Sequence, residues 1–195
     1  MRAHDQRLIA DSLRGDTAAF GELVRRYQDR LYNTVIRVLN NTEDARDVVQ
    51  EAFLSAYQSL GSFKGEAQFF TWLYRIAVNT AISHKRKQRV GLSLETARSE
   101  DAAIEPIDPS EASQPSQVLE RKEEEYRIQQ ALNRLSPEHR AVLILKDIEG
   151  QKYETMAAIL EVPIGTIRSR LHRARSELRE VLEKEAERER NRNEG

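Results

Sequence analysis

The chain of 195 residues contains no cysteine, which excludes disulfide bonds and thiolate metal sites and favours a reducing compartment. Long apolar runs are also absent, since nowhere do about eighteen apolar residues follow one another as a membrane-spanning helix requires. The segment MRAHDQRLIADSLRGD lacks the apolar core of a signal peptide. We therefore expect a soluble cytoplasmic protein that does not insert into a membrane.

Alternation of apolar and polar residues, the pattern of a half-buried β-strand, is absent as well. Apolar residues instead recur at helical spacing from Leu8 to about Arg89. Asp16 is predicted to cap one helix, Thr42 to begin a second, and a third to begin near Gln68. The sequence therefore predicts an all-α fold.

Residues 91–116 differ in composition from the rest and predict a flexible acidic linker. They contain three prolines within ten positions and too few apolar residues to build a core. Residues 93–125 carry 3 basic and 10 acidic side chains, although the net charge of the whole chain is only −1. The predicted order is one helical domain over residues 1–90, the linker, a second helical domain over residues 117–182, and a charged tail over residues 183–195.

The second predicted domain contains two helix-start signals. Ser116 is predicted to cap a helix that runs through Leu135. Ser136, Pro137 and Glu138 follow as a cap, a first-turn proline and a favourable acid, and predict the start of the next helix. The apolar run AVLILK after this start predicts a buried helix.

The segment QKYETMAAILEVPIGTIRSRLHRARSEL, at residues 151–178, predicts a helix-turn-helix. Pro163 cannot continue the first helix but suits the first turn of the second. The second helix has an apolar stripe and four arginines with no acid between them: Arg168, Arg170, Arg173 and Arg175. Because arginine binds phosphate or a guanine edge bidentately, this pattern favours a DNA-reading helix. The alternative is a solvated basic helix at the end of a domain.

The first predicted domain combines aromatic and basic residues in a way that favours single-stranded nucleic acid. Seven of the aromatic residues lie between Phe53 and Tyr74, and the basic run HKRK follows at residues 84–87. Aromatic rings stack on unpaired bases while basic side chains hold the backbone. The loop GSFKG is its most specific part, because we expect Phe63 and Lys64 not to be needed for packing. Taken singly, the other rings are core residues more often than stacking platforms.

Four residues of the second predicted helix share one face at positions i, i+3, i+4 and i+7: Asp47, Gln50, Glu51 and Leu54. A solvated helix face and an acidic docking surface for a basic partner helix both fit this spacing. No catalytic or metal-binding motif is present, and the four histidines are scattered: His4, His84, His139 and His172. We expect no metal, no cofactor and no enzymatic activity.

Four motifs in order carry a family resemblance: DVVQEAFLSAY, FKGEAQFFTWLYRIAVNTA, LSPEHRAVLILKDIEG and VPIGTIRSRLHRAR. Over residues 5–182 the chain resembles a bacterial RNA polymerase sigma factor of the extracytoplasmic-function type (group IV). The resemblance implies that residues 1–90 are sigma region 2 and that residues 117–182 are sigma region 4. It also implies that the chain binds RNA polymerase core and directs initiation at particular promoters.

The resemblance assigns roles in the first domain. Asp47, Gln50, Glu51 and Leu54 match the face that docks on the clamp helices of the polymerase largest subunit. The loop around Phe63 and Lys64, with Asn79 on the following helix, resembles the pocket that captures a base flipped from the melted −10 element. Two basic residues of the same helix join this −10 surface: Lys85 and Arg86.

The second domain is implied to sit on the flap of the second-largest subunit. Its second helix matches the recognition helix for the −35 element, with Thr166, Arg168, Ser169, His172 and Arg173. Arg170 and Arg175 are implied to contact phosphate or to serve as structural partners. The family also implies an anti-sigma factor as a further partner.

Two positions depart from the family pattern: Thr155 replaces a commonly acidic residue, and Glu161 is the second. Glu161 stands in the helix-turn-helix turn where the family often has glycine. If the backbone there is left-handed, a residue with a Cβ atom costs roughly 1 kcal/mol.

The alternative function is a helix-turn-helix regulator that is not a polymerase subunit. A response regulator of this kind needs an α/β receiver domain, and residues 1–90 show no alternation of strands and helices.

Overall fold

The computed structural model describes residues 2–92 and 115–193. In these ranges the chain is helical and contains no strand, which confirms the predicted all-α class. Helix α1 spans Arg2–Leu13, α2 Thr17–Leu39, α3 Thr42–Gln58 and α4 Phe69–Leu92, with a short 3-10 turn at Leu60–Ser62. Helix α5 spans Pro115–Arg134, α6 Pro137–Leu143, α7 Tyr153–Leu160 and α8 Ile164–Asn193. Most of the predicted linker, residues 93–114, lies outside the described residues.

The helix starts in the first domain follow their local sequence signals. The Asp16 carboxylate accepts hydrogen bonds from the backbone N–H groups of Ala18 at 2.9 Å and Ala19 at 3.3 Å, as predicted. Helix α3 begins at Thr42, and the Asn41 side chain caps it. Helix α4 begins at Phe69, next to its predicted start.

The second domain confirms one predicted cap and contradicts another. The Ser136 hydroxyl accepts from the backbone N–H of His139 at 3.2 Å, and Pro137 is the first helical residue. Ser116, however, lies inside α5 rather than ahead of it, so the prediction that it caps this helix is wrong. The physical reason is that Pro115 suits the first helical position, where no backbone N–H is needed.

Replacing Ser136 by alanine is expected to destabilise the second domain by about 1 kcal/mol, because the first turn of α6 loses its side-chain acceptor. For a protein of this size the melting temperature should fall by about 2–4 °C. Thermal unfolding followed by circular dichroism measures this shift. Ser176→Ala, at an exposed position inside α8, is the matched control, and equal melting of the two variants would contradict the assigned cap.

The helix-turn-helix consists of α7, a three-residue turn and α8. Glu161 ends α7 with φ 53° and ψ 42°, the left-handed conformation that costs a residue with a Cβ atom. The Pro163 carbonyl accepts from the backbone N–H groups of Thr166 and Ile167, which fixes the first turn of α8. Helix α8 then continues for 30 residues, so residues 183–193 of the predicted tail extend this helix.

The two domains share one continuous apolar cluster. It joins core residues of the first domain, such as Leu39 and Ala81, to core residues of the second, such as Leu132 and Met156. Helix α4 contributes most to this contact and packs on α7 and α6. In the described part of the chain, the second domain therefore lies directly against the first.

Polar groups also cross between the domains. Arg140 is 1% exposed, and its guanidinium donates to the Val38 carbonyl at 2.6 Å and to the Leu132 carbonyl at 2.8 Å. The Glu149 carboxylate accepts from Thr34 and from Arg30, each at 3.0 Å. A buried cation is costly unless its donors are satisfied, and here backbone carbonyls at the ends of α2 and α5 satisfy them. These bonds fix the position of α6 against α2.

Candidate functional site

Helix α8 separates a buried stripe from an exposed face. Ile167, Leu171 and Ala174 are at most 2% exposed and pack into the core. The predicted DNA-reading residues that lie between them on the opposite side are exposed: Arg168, Ser169, His172 and Arg173. Thr166 and Arg170 are half-buried at the margin of this face. We call the four exposed residues the reading face.

Arg175 differs from the reading-face arginines because it already has a partner. Its Nη2 atom lies 2.5 Å from Oδ1 of Asp147, and its Nε atom donates to Oδ2 at 3.3 Å. The hydrogen bond to Asp147 also raises the pKa of the Arg175 guanidinium. Of the two roles that the family implies for Arg175, this geometry favours the structural partner.

Tyr153 supports the reading face from the first residue of α7. The guanidinium carbon of Arg168 lies 6.0 Å from the centroid of its ring, and the Lys146 ammonium lies 5.0 Å from the same centroid. Cations at these distances are attracted by the electrons of an aromatic face. Sequence reasoning missed Tyr153, and the only available signal was an aromatic residue at the start of a helix.

The Phe63 ring is part of the protein's packing. It lies edge-on to Phe69, with ring centroids 5.9 Å apart, and 5.2 Å from Trp72. The expectation that this loop aromatic is not needed for packing is therefore wrong, because the 3-10 turn brings it back onto the start of α4. Phe63 is half-buried and Lys64 is exposed, so both can still be reached from solvent.

The three α4 residues predicted to contact the −10 element all have protein partners. The Asn79 amide donates to the Ile159 carbonyl at 3.1 Å, across the domain contact. The Lys85 ammonium donates to the Leu39 carbonyl at 2.9 Å. The Arg86 Nε atom lies 3.7 Å from Oε1 of Glu138. Two of these three residues thus contact the second domain.

Two of the four predicted docking residues line an apolar groove between α2 and α3, and the other two, Asp47 and Glu51, do not. Asp47, Gln50, Glu51 and Leu54 are all exposed, and Leu54 has 56% of its surface accessible. Gln50 and Leu54 line the groove, which has a volume of about 780 Å³. Its apolar lining also includes residues that the sequence analysis did not assign to docking: Phe20, Val24, Tyr32, Val49, Phe53 and Tyr57.

The described residues contain no group of three or more histidine, aspartate or glutamate side chains that could hold a metal ion. Among the described helices, none is long and apolar enough to cross a membrane. The predicted site residues lie on three surfaces: the groove, the α4 face with its preceding loop, and the reading face.

Comparisons with family models and with known proteins agree on one family. Sigma-70 region 2 matches residues 23–90, and Sigma-70, region 4 matches residues 125–178. The RNA polymerase sigma-H factor of Pseudomonas aeruginosa is 39% identical over 92% of this chain and 94% of that protein. The ECF RNA polymerase sigma-E factor of Escherichia coli K12 is 36% identical over 88% of this chain and 90% of that protein.

Two solved structures with the same architecture are complexes. CnrH in complex with the cytosolic domain of CnrY superposes with a TM-score of 0.64 at 25% identity, covering 92% of this chain and 97% of that chain. The sigma factor RpoE in complex with the anti-sigma factor NepR from Bartonella quintana gives a TM-score of 0.63 at 28% identity, covering 84% and 96%. With both regions matched in order and relatives aligned along most of the chain, this protein belongs to the sigma-70 family, as an RNA polymerase sigma factor of the extracytoplasmic-function type.

Proposed function

We propose that this sigma factor binds RNA polymerase core through the α2–α3 groove and directs initiation by contacting two promoter elements. The observation that carries the proposal is the groove itself. Leu54 and Tyr57 are 56% and 41% exposed beside acidic and amide side chains. Large exposed apolar side chains grouped in one concave surface are typical of a protein–protein interface.

The chemistry of the groove suits a helical partner with basic residues. Its lining is mostly apolar and includes the charged residues Asp29 and Arg46, and Asp47 and Glu51 are exposed on α3. A partner helix can place apolar side chains in the groove and basic side chains against these carboxylates. The clamp helices of the polymerase largest subunit are the partner that the family implies. Burying the remaining exposed surface of Leu54, which is 56% exposed, would contribute about 1–1.5 kcal/mol.

The first domain is further proposed to capture a base of the melted −10 element. Phe63 and Lys64 border the start of α4, and Asn79 offers an amide that can pair with the edge of a base. Stacking and edge hydrogen bonds together offset the few kcal/mol that flipping a base costs. Lys85 and Arg86, further along α4, supply positive charge for the backbone of the strand.

The second domain is proposed to read the −35 element as duplex. The reading face of α8 holds two arginines without an ion-pair partner among the described residues, Arg168 and Arg173. A helix with such residues at its N-terminal end fits the major groove in helix-turn-helix proteins. The same domain is proposed to sit on the flap of the second-largest polymerase subunit.

Control by an anti-sigma factor in the cytoplasm completes the proposal. It is supported by the similar structures, of which one was solved with the anti-sigma factor NepR and another with the cytosolic domain of CnrY. A partner that covers the groove or the reading face would block polymerase or promoter binding.

The alternative, a helix-turn-helix regulator that is not a polymerase subunit, makes a different prediction about core binding. We expect the purified chain to form a stoichiometric complex with polymerase core, and an established sigma factor of the same core to displace it. Size-exclusion chromatography of the mixtures measures both effects. Binding to promoter duplex in the absence of core, without any complex with core, would favour the regulator.

A further inference from the structure

Glu161 occupies a position that favours glycine, and its side chain contacts the first domain. Its backbone is left-handed, with φ 53°, a conformation that a residue with a Cβ atom adopts at a cost. The residue ends α7 at the point where the helix-turn-helix faces α4 of the first domain. A glycine at this position would avoid the cost, so the turn geometry alone does not explain a glutamate.

The Glu161 carboxylate reaches across the domain contact to two residues of α4. Its Oε1 atom lies 3.6 Å from Nη1 of Arg75. Its Oε2 atom accepts from the Asn79 amide at 3.4 Å, and the same amide donates to the neighbouring Ile159 carbonyl at 3.1 Å. The turn of the helix-turn-helix therefore engages two polar side chains of α4.

We propose that Glu161 is a latch between the two domains, which holds the helix-turn-helix over the DNA-binding face of α4 in the free protein. In this closed form the Asn79 amide is occupied by protein acceptors, and Arg86 faces Glu138 of the second domain. Two residues that are proposed to contact the −10 strand are thus engaged by the domain proposed to read the −35 element. The reading face stays exposed, so the closed form is incompatible with the proposed −10 contact of Asn79 and not with the −35 contact.

The closed form leaves the polymerase-docking groove open. The groove is lined by α2 and α3, and none of its lining residues belongs to α4 or to the second domain. Core polymerase can therefore bind the first domain before the domains separate. This order makes the contact of Asn79 with the −10 strand conditional on core. That consequence rests on the proposed function of Asn79, whereas the latch itself does not.

The latch adjusts the balance between closed and open forms and does not hold the domains together alone. The Glu161 and Arg75 side chains are 63% and 41% exposed, and pairs this exposed are weak. The shared apolar cluster provides most of the contact. Removing the latch should therefore raise the ratio of open to closed protein on the order of two- to five-fold.

A distance measurement between the two domains tests the proposed latch directly. Because the chain has no cysteine, spin labels can be placed at the exposed residues Ser83 of α4 and Ser176 of α8 as Ser83→Cys and Ser176→Cys. Double electron–electron resonance on the free full chain should give one dominant distance. Glu161→Gly and Arg75→Gln should each increase the weight of a longer, broader population, and the double variant should increase it no more than Glu161→Gly alone.

Glu154→Gln is the matched control, since Glu154 is exposed on α7 and makes no ion pair with the described residues. Distances that stay unchanged in both latch variants, or a broad distribution in the parent chain, would overturn the proposal. If the proposed promoter function is wrong, the latch variants should still change the measured distance. If the latch is wrong, the parent chain should still direct transcription. Glu161→Gly should also melt no lower than the parent, because glycine relieves the left-handed backbone.

Discussion

Replacing Leu54 by aspartate is expected to weaken binding of polymerase core at least about 100-fold, because two losses add. The variant loses the apolar surface that Leu54, which is 56% exposed in the free protein, would bury against the partner. It also places a carboxylate where the partner would desolvate it, and a charge buried without a partner is expensive. The lost burial is worth about 1 kcal/mol and the unpaired carboxylate about 2 kcal/mol or more, and every 1.4 kcal/mol is about a factor of ten in affinity.

Leu13→Asp is the matched control for this experiment. Leu13 is 54% exposed, lies in α1 and does not line the groove. Both variants can be labelled through Ser176→Cys and titrated with core while fluorescence anisotropy is recorded. The groove is not the docking surface if both leucine variants bind core equally well, or if Leu54→Asp binds as tightly as the parent chain.

Replacing Arg173 by alanine is expected to lower transcription from promoters of this sigma factor by about 10- to 100-fold while core binding stays unchanged. Arg173 is exposed on the reading face, and no ion pair within the described residues competes for it. A bidentate arginine contact to a guanine contributes about 1–3 kcal/mol of discrimination. Arg173→Lys should restore little of the loss, since lysine cannot reproduce the two parallel hydrogen bonds.

The promoter experiment also has a control on the same helix. Arg188 is exposed near the far end of α8, away from the reading face, so Arg188→Ala should keep nearly full activity. Transcript yield in a reconstituted reaction is measured for each variant, next to the affinity for core. A parallel loss of core binding and transcription in Arg173→Ala would contradict a role in reading DNA.

Helix caps and exposed helix faces could be predicted from the sequence, because they depend on residues close together in the chain. Asp16 and Ser136 cap the helices that they were expected to cap, because a cap depends only on residues within one turn. The exposed face of α3 and the reading face of α8 follow from helical spacing in the same way. The left-handed turn at Glu161 could be anticipated only through the resemblance to a family.

Contacts between distant parts of the chain could not be predicted. The bond from Asn79 to the Ile159 carbonyl joins residues 80 positions apart, and nothing in either segment indicates the other. The apolar groove also needs α2, because Phe20 and Val24 line it together with residues of α3. The packing of Phe63 on Trp72 could not be predicted for a related reason, since it depends on how the 3-10 turn bends the chain.

Mapping transcript starts with purified core polymerase on genomic DNA, with and without this protein, tests the central claim most directly. Sequencing of the 5′ ends should reveal a set of start sites that appear only when the protein is present. Upstream of these sites, two shared elements should recur at a fixed spacing, as expected for one contact by each domain. Identical start sites with and without the protein would contradict its proposed role in promoter selection.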